Sequence, residues 1–84
     1  MILTILLQAA NGAAFAKIGA AFAASIAVIG ASYGISRIGS SALESIARQP
    51  ESASDIRSGM LLAAALIEGV AMFAVIVCLL VLFV

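Results

Sequence analysis

The chain has no histidine and no tryptophan, and only one cysteine, one proline and one tyrosine. Without histidine, and with Cys78 alone, a single chain cannot build a zinc-type site, a disulfide or a cysteine–histidine nucleophile pair. Charge is scarce too. Four Lys+Arg balance four Asp+Glu, 10% of 84 residues, for a formal net charge of zero. No basic patch points to nucleic acid. What is present is apolar: 65% hydrophobic residues and a mean hydropathy of +1.32. Soluble domains run nearer to about half apolar and a quarter charged. A soluble chain this short buries only about 60% of its unfolded surface, so much of this apolar area would face water. The bilayer is the solvent that fits the composition. A hairpin this small has no pocket with which to act alone as an enzyme, and the sequence predicts one copy within an assembly.

Two apolar stretches flank one polar segment. The first uncharged run, Ile18 to Ser36, lies between Lys17 and Arg37. At a rise of about 1.5 Å per residue it spans roughly 28 Å, close to the hydrocarbon thickness. The second run, Met60 to Val84, carries Glu68 as its only charge. Between them, Arg48 to Arg57 holds the only proline, Pro50. Proline ends a helix interior, and it suits the start of a new helix, with Glu51 and Asp55 near that helix's positive end. Two segments cannot close a barrel in lipid. The predicted fold is all-α: a transmembrane antiparallel helical hairpin forming one domain over residues 1–84. Helix 1 is expected over about 12–47, a polar loop over about 48–51 and helix 2 over about 52–83. Met1 to Asn11 reads as a short extension of helix 1. A secretory leader is the competing reading, given Ala13 and Ala14 but no positive n-region. Arg37, Arg48 and Arg57 near the loop, against Lys17 at the other end, place the loop in the cytoplasm and both termini outside.

Helix 1 repeats small residues every four positions: Gly12, Ala16, Ala20 and Ala24, then Gly19, Ala23, Ala27 and Ala31. In lipid, such residues let backbones approach closely. They cover much of the circumference, which suits a crowded inner layer of a homo-oligomeric ring. General membrane-helix composition accounts for the same feature. Glu68 is more informative. A charge at the bilayer centre costs about 2.5–3.5 kcal/mol even on lenient scales, so a lone carboxyl there is a default marker of an ion or proton path. Two other readings stand beside it: a neutral carboxyl bonding between helices, and shallow burial that lets it snorkel. A turn centred between Gln49 and Pro50 sets Glu68 opposite Ala31, about 12 Å inside the apolar run. There its carboxyl is expected to face the small residues from Gly30 to Ser36.

The small-residue first helix, the loop Ala47-Arg48-Gln49-Pro50-Glu51 and one carboxylate twenty residues after that arginine resemble the c subunit of F-type ATP synthases. The resemblance covers nearly the whole chain. Gly30, Ser32, Gly34 and Ser36 occupy the family's alternate glycine positions, two of them as serine. The resemblance implies a ring of identical copies, helix 1 inside and helix 2 outside, in the inner (plasma) membrane. It implies that Glu68 carries the transported ion past a stator subunit bearing an essential arginine. It implies that Arg48, Gln49 and Pro50 contact the central stalk, and that no cofactor or metal is held.

Proton transport is the expectation, because sodium needs several oxygen ligands. The family's sodium-binding members place polar groups where this chain has Ile35, Gly69 and Phe73. The Leu66 carbonyl is then the expected acceptor, with Ala31 and Gly34 leaving room. Ser32 or Ser36 could add a hydroxyl, so a sodium-coupled ring is the alternative. A holin-like pore-forming hairpin explains the composition but not the pairing of Glu68 with the loop. A small proton-coupled exporter would line its cavity with aromatic residues, and the first turn around Glu68 has none. Arg37 reads as snorkelling to headgroups, with Tyr33 one turn away to stack on it. Cys78 reads as packing or lipid surface.

Overall fold

The computed structural model describes all 84 residues, Met1 to Val84. Helix α1 spans Ile2–Arg48, a 3-10 turn spans Pro50–Ser52, and helix α2 spans Ala53–Val81. The molecule is a rod of 73 × 15 × 8 Å. Its length comes from α1, whose 47 residues rise about 70 Å. Both helices are long and apolar enough to cross a membrane.

The chain reverses where its one proline dictates. Gln49, immediately before Pro50, leaves the helical region at φ −133° and ψ 72°. A proline ring crowds the preceding residue out of the α conformation and removes an N–H from any continuing helix. The Gln49 N–H donates to the Ser45 carbonyl at 2.9 Å, and the Ser52 N–H donates to the Gln49 carbonyl at 2.9 Å. These two bonds close the reversal in very few residues, which forces the helices side by side.

The helices meet along a seam of three- and four-residue steps. Ala20, Ala24, Ala27, Ala31, Gly34, Ile38 and Ala42 form it on α1, and Met60, Ala63, Ile67, Ala71, Ala74 and Cys78 on α2. Such spacing keeps residues on one helix face. Only Ala20 and Ala42 are buried, at 7% and 8% exposure. A single hairpin therefore has almost no core. Its large apolar side chains, among them Phe22, Ile29, Val70 and Phe73, stand on the outside. Lipid or other protein must cover them.

α1 starts at Ile2, so the helix runs through residues 2–11 ahead of the boundary near 12, as the reading of Met1 to Asn11 as its extension expects. Its partner stops much sooner. Val75, Cys78, Leu79 and Leu82, near the end of α2, pack at the level of Ala20 to Ala24. Residues 2–19, about 27 Å of helix, thus have no partner helix. Nothing in that stretch stops a helix: it has no proline, and an isolated glycine such as Gly12 costs only about 1 kcal/mol.

Candidate functional site

Glu68 lies well inside α2, in unbroken helix. Its side chain is exposed and stands beside the seam, not in it. The seam position belongs to Ile67. A Cβ placed on Gly34 would sit 3.2 Å from Ile67 Cδ1, the closest such approach of any glycine in the chain. One residue along a helix is a turn of about 100°, so Glu68 points out along the flank of the hairpin. The expectation that its carboxyl faces Gly30 to Ser36 of the same chain is therefore corrected. The physical reason is the seam itself. Ile67 removes apolar area from contact with its surroundings, whereas a carboxyl at that place would meet no donor on Gly34.

The register also moves the level of the site. With Gly34 opposite Ile67, Glu68 stands level with Tyr33 and not with Ala31, about 3 Å nearer the loop. The 3-10 turn over Pro50–Ser52 causes this, because it centres the reversal just after Pro50 and not before it.

The expected supporting residues divide between different surfaces. Ala31, Gly34 and Leu66 line one groove along the seam, together with Ile67, Val70 and Ala71. Glu68 is not part of that groove. Ile35 borders the seam on α1. Leu66, two residues before Glu68, projects about 160° away from it around α2. Gly69 turns about 100° to the other side, and Phe73, 74% exposed, about 140°. Within one chain, then, the structure does not assemble Ala31, Gly34, Ile35, Leu66, Gly69 and Phe73 around the carboxyl. The residues that do share its face are Ala64, Ala65, Ala71 and Met72, one turn away on either side. Three of the four are alanines. The carboxyl is exposed, with small neighbours on its own helix. The three- and four-residue spacing of small residues is the signal in the sequence that assigns the seam to Ile67.

The other charged groups lie elsewhere. Arg48, Gln49 and Pro50 form the exposed tip, about 27 Å along the axis from Glu68. The Arg37 guanidinium lies over the Tyr33 ring, 5.9 Å from its centroid, as the four-residue spacing predicts. No group of three His, Cys, Asp or Glu side chains gathers anywhere in the fold.

Known proteins share this pattern. The ATP synthase C-subunit family matches residues 18–81, a range that contains the seam, the reversal and Glu68. The ATP synthase c-subunit of Phocaeicola vulgatus is 61% identical over 83 residues, covering 99% of each chain. Its counterpart from Bacteroides thetaiotaomicron is 61% identical over 84 residues, again 99% of each. The counterpart from Azobacteroides pseudotrichonymphae is 60% identical over 78 residues, 93% of this chain and 95% of its own. By its paired apolar helices, its proline reversal and these matches along its length, the chain belongs to the ATP synthase C-subunit family.

Proposed function

We propose that this chain is the rotor-ring subunit of a membrane ATP synthase, and that reversible protonation of Glu68 couples proton flow to ring rotation and so to ATP synthesis. One observation carries the reading. The only charge in the apolar stretch of α2 sits off the seam, on a flank that a second copy of the hairpin can cover. In a ring, α1 forms the inner layer and α2 the outer. Leu66 of one copy then stands where it can serve Glu68 of the next, which a single chain does not permit.

The physics of a lone carboxyl supports rotation. Neutral, Glu68 passes through lipid at little cost. Charged, it meets a penalty of about 2.5–3.5 kcal/mol or more, relieved beside a stator cation. Each charge crossing the membrane gains about 2.3 kcal/mol per 100 mV, which biases the direction of rotation. The chain itself performs no phosphoryl chemistry. Its exposed tip, Arg48, Gln49 and Pro50, is the part that would transmit torque to the central stalk. The arginines near the tip favour a cytoplasmic loop in an inner (plasma) membrane, with both termini outside. Ile35, Gly69 and Phe73 offer no side-chain oxygen, which favours a proton over sodium.

Carbodiimide labelling of the protein in membranes, read by mass spectrometry, tests this. The reagent attacks protonated carboxyls in apolar settings. Glu68 is expected to label selectively, to lose labelling as pH rises, and to ignore Na⁺. Protection by Na⁺ would transfer the reading to a sodium rotor. Absence of labelling at every pH would end the ion-carrier reading.

A further inference from the structure

The face of α1 turned away from α2 changes character along its length. From Phe15 through Phe22, Ile26 and Ile29 to Tyr33 it is apolar and exposed. These residues cover about 27 Å, near the ~30 Å thickness of hydrocarbon. Just beyond Tyr33 this surface turns polar. Arg37, Ser40, Ser41 and Glu44 line a recess of about 300 Å³ with no apolar residue. It lies on the flank of α1, and Arg37 and Ser41 also border the adjoining groove with Ile56, Gly59 and Met60 of α2. The neighbour of the Arg37 guanidinium is the Tyr33 ring, and no carboxylate lies within ion-pair distance of it. Glu44 is two turns from Arg37, about 10.5 Å along the axis. The recess has a cation at its deep end, a carboxylate at its loop end and two hydroxyls between them.

We propose that this recess binds the headgroup of a phospholipid bearing a primary ammonium, with the phosphate on Arg37 and the ammonium on Glu44. The order of charges carries the assignment. In either leaflet the phosphate lies closer to the hydrocarbon than the headgroup amine does. Arg37 stands level with Ala64, inside the apolar run of α2, whereas Glu44 stands beyond Met60, where that run begins. The recess therefore has the same polarity as the lipid. Two charge-assisted hydrogen bonds of about 2.8 Å each, with the headgroup between them, suit the spacing of the two side chains. A purely anionic headgroup meets Glu44 with nothing to donate to it but hydroxyls. A quaternary ammonium has no N–H at all. The acyl chains continue along Tyr33, Ile29 and Phe22. The proposal requires only that the hairpin span a bilayer, and it is independent of the ion on Glu68.

The test uses the purified, assembled protein in vesicles of equal parts phosphatidylethanolamine, phosphatidylglycerol and phosphatidylcholine. After exchange into mild detergent, the retained lipid is quantified by mass spectrometry. Phosphatidylethanolamine is expected to be enriched about tenfold over each of the others. Glu44→Gln is expected to abolish that preference and favour phosphatidylglycerol. Arg37→Gln is expected to lose retention of all three, with Arg37→Lys preserving the ranking. Glu68→Gln is expected to leave the ranking unchanged, so that a failure of the ion reading and a failure of this one stay separate. Equal retention of the three lipids, enrichment of phosphatidylglycerol by the unaltered protein, or a preference that survives Glu44→Gln would each overturn the proposal.

Discussion

The two helices keep their charges differently. On α1, Arg37, Glu44 and Arg48 lie close together in the loop-side part, among hydroxyl groups, and Lys17 sits far toward the other end. On α2, nothing charged follows Arg57 except Glu68. Long side chains near a membrane edge reach water or headgroups by snorkelling. Glu68 is about 12 Å beyond Met60 and too short to do so. Polarity on α1 is thus explained by where it lies. The one charge in the apolar stretch of α2 has no such account from position. The same contrast separates the two flanks of α2: Ile67 is held by α1, and its neighbour Glu68 is held by nothing in the chain.

Exchanging charge for a neutral isostere tests this contrast most directly. In the assembled enzyme, Glu68→Gln is expected to reduce ATP-driven proton pumping in membrane vesicles by about a hundredfold or more, the lower range for loss of a proton-transfer group. Lys17→Gln, on α1, is expected to leave pumping within about twofold. Equal losses from both would erase the distinction between the helices. A smaller effect sharpens the difference between seam and flank. Gly34→Val drives side-chain atoms into Ile67 and is expected to cost about 1–3 kcal/mol. Gly59→Val, with nothing within 4 Å of its Cβ, is expected to avoid that overpacking cost. Chemical unfolding of the helices in micelles, followed by circular dichroism, measures both. The smallest change falls on the unpartnered end of α1. Gly12→Ala, also in open space, is expected to raise stability by at most about 1 kcal/mol through helix propensity alone.

The hairpin was legible because its signals are contrasts of composition: apolar against polar, and one proline between. The level of Glu68 against α1 was legible to within about 3 Å, because a residue count along two helices measures height. Its direction was not read that way. A count from the turn says nothing about angle, and one residue of error in the facing position is about 100°. The expected support from Ala31, Gly34 and Leu66 failed to gather around Glu68 in one chain for that reason. The reading of Met1 to Asn11 as an extension of helix 1 rests on different grounds. Ile2 to Asn11 contains no proline or glycine, so the cap-type residue Asn11 does not interrupt the run and the helix simply continues.

The lateral position of Glu68 has a thermodynamic consequence. A lone hairpin gives its carboxyl one wall, and any second wall is another molecule. Binding at a site completed in that way is linked to association. Whatever favours the occupied carboxyl then favours the contact between copies, and a tenfold gain in one equilibrium returns as a tenfold gain in the other. On the proposed reading of Glu68 as an ion carrier between copies, ion occupancy and subunit association are linked, and each is expected to shift the other's equilibrium.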